Sequence, residues 1–360
     1  MPETGIDEQF IETEKYSEHE MLTIRDSIFI YGGFYDNGNR PFNEILKYDT
    51  VRQSWTKYKK PRSVEAACVV SAVCTAGDRI YIYGGIRYPD IDESGQEVNP
   101  FEDHRSNSIV SFDTENGTWY MLSPTIREND ENTPPPMFDA SMFHFNGSLY
   151  IFGGFALGQL QKSMYRFCLT TLKWSRVQQY GEIPEPEFRP VRGTVFQNRR
   201  HSTDPDERFK KVTVFNILTC VWSTKETTSA TNKYPDDRSG ESFAFCEGQA
   251  YMTGGMIRAQ YMSDVWNINL KTLEWRKMKQ LHKARSGHIT SIVGNYTLYS
   301  FGGIPRDTDA IRGMESYIFC PLSLYRASMQ YLIRSGEIEN KDLYLPRSFH
   351  DEFNAFPPKT

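Results

Sequence analysis

Residues 196–212 read FQNRRHSTDPDERFKKV, which gathers Arg199, Arg200, Arg208, Lys210 and Lys211 in a chain whose formal charge is −5. A guanidinium is a planar fork of donors that receives a carboxylate through two parallel charge-assisted hydrogen bonds, so such a cluster suits an anionic ligand. Downstream, "DDRSGES" (Asp236 to Ser242) adds a hydroxyl at Ser239, and an Arg-Ser step recurs in "ARSGH" (Ala284 to His288) and at Arg62-Ser63. Two readings stand side by side. Either the arginines and Ser239 meet an anion, or Arg199, Arg200 and Arg208 pair with Asp204, Asp206 and Glu207 on a solvated loop while the recurring Arg-Ser steps satisfy backbone groups of a scaffold.

Other reactive groupings are sparse. The seven histidines are dispersed, with no HExxH and no glycine-rich loop between a strand and a helix. Arg87 to Ser106 is rich in acids but lacks the ligand spacing of a calcium loop and reads as an insertion. Cys68, Cys74, Cys168, Cys220, Cys246 and Cys320 form no CxxC pair and read as free thiols. The sequons at Asn116 and Asn146 fall in "TENGTW" and "FNGSLY", where Asn-Gly suits a hairpin turn, and a third stands at Asn295. We expect no catalytic residue, metal or cofactor. The net negative charge speaks against nucleic acid. No run of about 18 apolar residues marks a membrane span, and the first residues are acidic rather than leader-like. A cytoplasmic or nuclear protein is expected.

The elements that must carry these residues repeat. "IFIYGGF", "IYIYGGI", "LYIFGGF", "AYMTGGM" and "LYSFGGI" are apolar strands ending in glycine pairs at 32/33, 84/85, 153/154, 254/255 and 302/303. Strands apolar on both faces suit the middle of a small sheet. After most pairs an alternating segment and a polar turn lead to a tryptophan: Trp55, Trp119, Trp174 and Trp275. Trp222 in "NILTCVW" belongs to a further repeat, in which Gln197-Asn198 stands where the glycines should be. The pattern resembles the kelch repeat over about residues 16–320, with its period of about 50 residues. The resemblance implies an all-β, six-bladed kelch β-propeller over residues 1–320, with a degenerate fourth blade. The Glu-x-x-x-Asp-x-x-x-His pattern of iron-dependent kelch enzymes is absent. The last repeat has no tryptophan, and we expect residues 8–14 to supply its outer strand and close the ring.

Beyond Pro321 the periodicity changes. Leu324, Ser328 and Leu332 fall four apart, with Ala327 and Tyr331 widening the stripe and Gly336 as a stop, which predicts a helix. Leu345, Phe349, Phe353 and Phe356 recur at helical spacing from Pro346, predicting a second. A helical tail over 321–356 precedes a disordered end at 357–360. Periodicity alone allows both helices to pack beneath the propeller. Yet "SLYRASMQYL" resembles the elongin-C-binding box of ubiquitin-ligase receptors, with Ser328 where cysteine is usual, and "LPRSFHDEF" resembles the cullin-2 box.

With both boxes following a propeller, the chain resembles the kelch-domain-containing substrate receptors of cullin-2 RING ubiquitin ligases. The resemblance implies a non-catalytic receptor. Leu324, Ser328 and Leu332 would bind elongin C, and through it elongin B, while Leu345, Pro346, Phe349 and Phe353 would bind cullin-2. Client proteins would be held by their C-terminal peptides at the channel mouth. The first client-contacting arginine of the family matches Arg199, the second falls on Arg208 or Arg200, and the serine matches Ser239. Gly240 departs from relatives that carry a large residue there. The alternative is a kelch scaffold that binds actin or another protein, its tail purely structural; this reading requires Leu324 and Phe349 to be buried against the propeller.

Overall fold

Ile28, Phe29, Ile30 and Tyr31 are all almost completely buried, because successive side chains of a strand leave on opposite faces and here both faces are covered. Ile28 and Ile30 join one hydrophobic cluster, while Phe29 and Tyr31 join another. This division repeats around the molecule and builds it. The computed structural model describes residues 16–17, 19–35, 40–61, 63–65, 69–87, 104–128, 130–185, 195–196, 205–246, 248–278, 280–305, 314–321 and 324–335.

The sheets form a six-bladed β-propeller, as the repeat implied. Blade 1 comprises Glu20–Ile24, Ser27–Tyr31, Glu44–Asp49 and Ser54–Lys59 in antiparallel order from channel to rim. Blade 2 follows with Ala72–Ala76, Arg79–Ile86, Arg105–Asp113 and Thr118–Ser123. Blade 3 has Phe138–Phe145, Ser148–Ala156, Met164–Cys168 and Lys173–Val177. Blade 5 has Ser242–Cys246, Gln249–Thr253, Val265–Asn269 and Glu274–Lys277.

Blade 4 departs from this pattern. Among the described residues it shows Val195–Phe196, Lys211–Asn216 and Val221–Glu226, which correspond to the second, third and fourth strands of its neighbours. Its outer edge is covered by Tyr180–Gly181 running parallel, as Thr228–Ser229 covers blade 5. Covering the outermost strand in this way blunts an edge open to unwanted pairing. Blade 6 shows three strands, Ile289–Val293, Thr297–Phe301 and Met314–Ile318, among the described residues. The strand expected from residues 8–14 lies outside them.

Six hydrophobic clusters fill the six seams. Ile80, Ile82 and Phe112 meet blade 1 residues, and Met142, Leu149, Ile151 and Phe167 meet Tyr81, Tyr83 and Ile109 of blade 2. Phe152 and Met164 meet Phe215 and Trp222, Phe209 and Val212 meet Met252 and Trp275, and Ala244 and Val265 meet Ile292 and Leu298. Ile289, Val293 and Phe301 then pack on Met21, Ile28 and Leu46, so the ring closes through apolar burial between blades 6 and 1. Thr23 Oγ1 and Ser291 Oγ, 2.5 Å apart, share a hydrogen bond across the same seam.

Buried polar groups also sit between blades. His288 is 5% exposed, and its Nε2 lies 2.9 Å from Thr253 Oγ1. Burial, with lesser contributions from the Arg285 and His19 charges, holds the His288 pKa well below the ordinary histidine value. The folded protein therefore refuses a proton that the unfolded chain accepts below about pH 6.5. The contribution of the neutral His288 is complete above that pH and is lost as pH falls. We expect urea denaturation to show stability falling between pH 7 and 5, and a flatter dependence in His288→Gln.

The cysteines expected to be free are free at Cys74, Cys168, Cys220, Cys246 and Cys320; Cys68 lies outside the described residues. Asn146 and Gly147 take positive φ at their hairpin turn, as the Asn-Gly reading required.

Candidate functional site

The strand directions give the propeller two unlike faces. Hairpin turns such as 25–26 and 50–53 lie at one end of each blade, and the glycine pairs and blade entries lie at the other. On the glycine face, each of two seams is fastened by one backbone bond. Gly85 N–H donates to Met137 O and Gly255 N–H donates to Arg285 O, both at 2.8 Å. A side chain would destroy this joint: a Cβ on Gly84 would lie 2.7 Å from Met137 O, and one on Gly254 would lie 2.6 Å from Arg285 O. Here the conserved geometry of the repeat, rather than turn-making alone, demands glycine.

The residue following each accepting carbonyl pairs with the residue after a glycine pair. Phe138 faces Phe155, Ser239 faces Met256 and Ser286 faces Ile304. Met137, Arg238 and Arg285 are thus equivalent positions at the entries of their blades. The two arginines there are scaffold, as their recurrence suggested. The Arg238 side chain is fully buried; Nη1 and Nη2 reach the two oxygens of Asp264 at 2.5 and 3.1 Å, and Nη1 also donates to Gly254 O. Burial pushes the Asp264 pKa up, but the bonds and charge of Arg238, aided by Trp266 Nε1, outweigh it and hold the carboxyl below its usual value. Arg285 donates to Ser300 Oγ and pairs with Glu315, and burial brings its pKa down to about 10.

Ser239 differs from both arginines because it is exposed. Its backbone is pinned on either side, with Ser239 N–H donating to Met256 O at 3.1 Å and Met256 N–H donating to Ser239 O at 2.7 Å. Gly240 follows at φ 67°, and a Cβ there would lie 2.1 Å from Ser286 Oγ. A large side chain has no room at this position.

Arg208 does not occupy the place expected of a client-contacting arginine. It lies in the last turn of the 3₁₀ helix Pro205–Lys210 and its side chain is 5% exposed. Nη1 donates to Arg238 O at 2.5 Å and to Asp237 Oδ1 at 3.2 Å, Nη2 pairs with Glu241, and the guanidinium lies 4.8 Å from the Phe209 ring centre. Its charge is already matched by carboxylates of blade 5, which leaves a ligand little to gain. Arg199 and Arg200 lie outside the described residues. Sequence reasoning missed Asp264, Glu241 and Asp237, since each is an ordinary acid in the sequence until strands and blades meet.

At the other end of the molecule lies the helix Leu324–Ser335. Arg334 donates through Nε to Val51 O at 2.9 Å and through Nη2 to Thr50 O at 3.2 Å, which fixes the helix end to a turn of blade 1 on the hairpin face. Leu324 is 84% exposed and Tyr331 65%, whereas Leu332 is half-buried. The Ser328 hydroxyl donates to Leu324 O at 2.8 Å, so its polarity is satisfied within the helix. Leu345, Pro346, Phe349 and Phe353 lie outside the described residues.

Comparisons with known proteins agree with this architecture. Kelch domain-containing protein 10 of Rattus norvegicus is 20% identical over 308 residues, covering 80% of this chain and 71% of its own length. The Homo sapiens protein of that name is also 20% identical over 308 residues, with 66% of its length covered. Kelch domain-containing protein 3 of Homo sapiens is 25% identical over 176 residues, which are 48% of this chain and 43% of that protein. Residues 18–201 match the KLHDC2/KLHL20/DRC7 Kelch-repeats domain, and with the glycine-pair joints and six seams described above, the chain belongs to that kelch-repeat family.

Proposed function

We propose that this kelch protein is the substrate-recognition subunit of a cullin-2 RING E3 ubiquitin ligase. It carries no catalytic step of its own; it brings a client to the ligase. The helical tail recruits elongin B–elongin C and cullin-2, and the glycine face receives the client's C-terminal peptide. The observation that carries the reading is the display of Leu324, 84% exposed on a helix whose other end is fastened to the propeller. A purely structural tail would bury its one strongly apolar leading residue, because a covered leucine contributes about 1.5–3 kcal/mol.

The opposed faces support the same division of labour. Leu324, Ser328 and Leu332 form the elongin-C contact on the hairpin side, and Leu345, Pro346, Phe349 and Phe353 extend it to the cullin. We assign Arg199 and Arg200 as charge-assisted donors to the client's terminal carboxylate, with the Ser239 hydroxyl, exposed on the face away from the helix, as a third group. A client bound there leaves the recruiting helix uncovered.

Peptide binding tests the client half. A peptide with a free C-terminal glycine should bind, and Arg199→Ala should weaken it by about tenfold or more, as expected for a lost charge-assisted bond, while barely changing an amidated peptide. Equal binding of the acid and the amide by the unaltered protein would contradict carboxylate capture. Retention of actin without elongin C in pull-downs would favour a scaffold instead.

A further inference from the structure

We infer that Arg208 is a positioning residue: at the seam between blades 4 and 5 its side chain grips the carbonyl equivalent to those that accept a glycine-pair amide at two other seams, and so sets Ser239. The inference deepens the client-binding reading above and rests on it only for the ligand. Gly85 N–H and Gly255 N–H each cross a seam to the carbonyl one step before the mouth residue of the next blade, Met137 O and Arg285 O. At the seam entering blade 5 the equivalent carbonyl is Arg238 O. Blade 4 has Gln197-Asn198 in place of its glycines, and Arg238 O receives Arg208 Nη1.

The substitution is chemically sound. A guanidinium offers several donors in one plane, so a single Arg208 side chain grips Arg238 O, Asp237 and Glu241 together. These residues bracket Ser239 on both sides. Glu241 also differs from its counterparts: the same register position holds Ser71 in blade 2, Ala140 in blade 3 and His288 in blade 6. Among these four blades only blade 5 presents a carboxylate there, opposite the blade whose sequence lacks the glycine pair. Phe209 beside it anchors the segment, being 1% exposed and accepting Trp275 Nε1 on its carbonyl at 3.0 Å. Arg208 thus transmits the position of blade 4 to the serine of blade 5.

The test uses the full chain with Arg208→Gln, and Arg208→Lys as the variant that keeps one cationic donor. Hydrogen exchange needs no ligand: the Ser239 amide should exchange roughly tenfold faster or more in Arg208→Gln, the scale of one lost charge-assisted bond, with Arg208→Lys partly restoring protection and blade 1 and 2 amides unchanged. Unchanged exchange across 236–241 in both variants overturns the inference. With peptides, Arg208→Gln should weaken the free-acid and amidated forms by the same factor, unlike Arg199→Ala. Selective loss of the free acid would make Arg208 a direct carboxylate contact and overturn the positioning role. If the unaltered protein binds neither peptide, the client reading fails while the exchange result still decides the role of Arg208.

Discussion

Leu324→Ala will abolish practical capture of elongin B–elongin C, weakening it by roughly 30-fold or more, the scale of a buried hot-spot leucine. The melting transition should stay in place, since Leu324 is 84% exposed and exposed substitutions usually lie within about 0.5 kcal/mol. This pairing of a large binding effect with a silent stability effect separates an adaptor surface from a packed tail. Ser328→Cys should act in the opposite direction. The Ser328 hydroxyl already donates to Leu324 O, so at the proposed elongin-C contact serine would be covered with its donor satisfied, but a thiol sheds less water on burial. Affinity purification with immobilised elongin B–elongin C measures both variants, and full capture by Leu324→Ala would sink the box assignment.

Asp264→Ala should produce the largest stability loss of any single change considered, about 3–5 kcal/mol, because it leaves the Arg238 charge buried without its carboxylate. The Arg238 side chain is fully buried and the Asp264 side chain only 3% exposed, so water cannot replace the lost partner. Trp266 Nε1 loses its acceptor in the same step. A double variant, Arg238→Met with Asp264→Leu, should recover much of the loss, since an apolar pair of similar volume avoids the desolvation of both charges. Urea denaturation measures each protein. A loss below about 1 kcal/mol for Asp264→Ala would show that the pair adds little to blade 5.

The architecture was legible because its cause is local and repeated. A strand such as "IYIYGG" must be buried on both faces, and at Gly84 and Gly254 the approach of the next blade's carbonyl leaves no room for a side chain, so a local demand repeated around the ring shows as five glycine pairs. The degenerate fourth repeat was visible too, through Trp222 and the absent glycines. The tail helix was readable from its apolar period, and the Ser328 hydroxyl behaves as a hydroxyl four residues from a helical carbonyl should.

The arginines were a different matter. Arg199, Arg208 and Arg238 are alike in sequence, each near acids and serines, and Arg285 shares the Arg-Ser step of Arg238. Nothing along the chain tells that Arg238 will meet Asp264, 26 residues on, or that Arg208 will meet Glu241, 33 residues on. Those partners are brought together by the seams between strands and blades, and burial then decides which charges must be matched and which stay available. Sequence by itself determined the repeat, the blade count and the helical stripe, because backbone pairing and apolar periodicity act over a few residues. Only the tertiary structure decided that Arg208 holds a carbonyl where glycines are missing, that Ser239 is open at the mouth, and that Leu324 is displayed on the opposite face, because exposure and ion pairing belong to the packed ring.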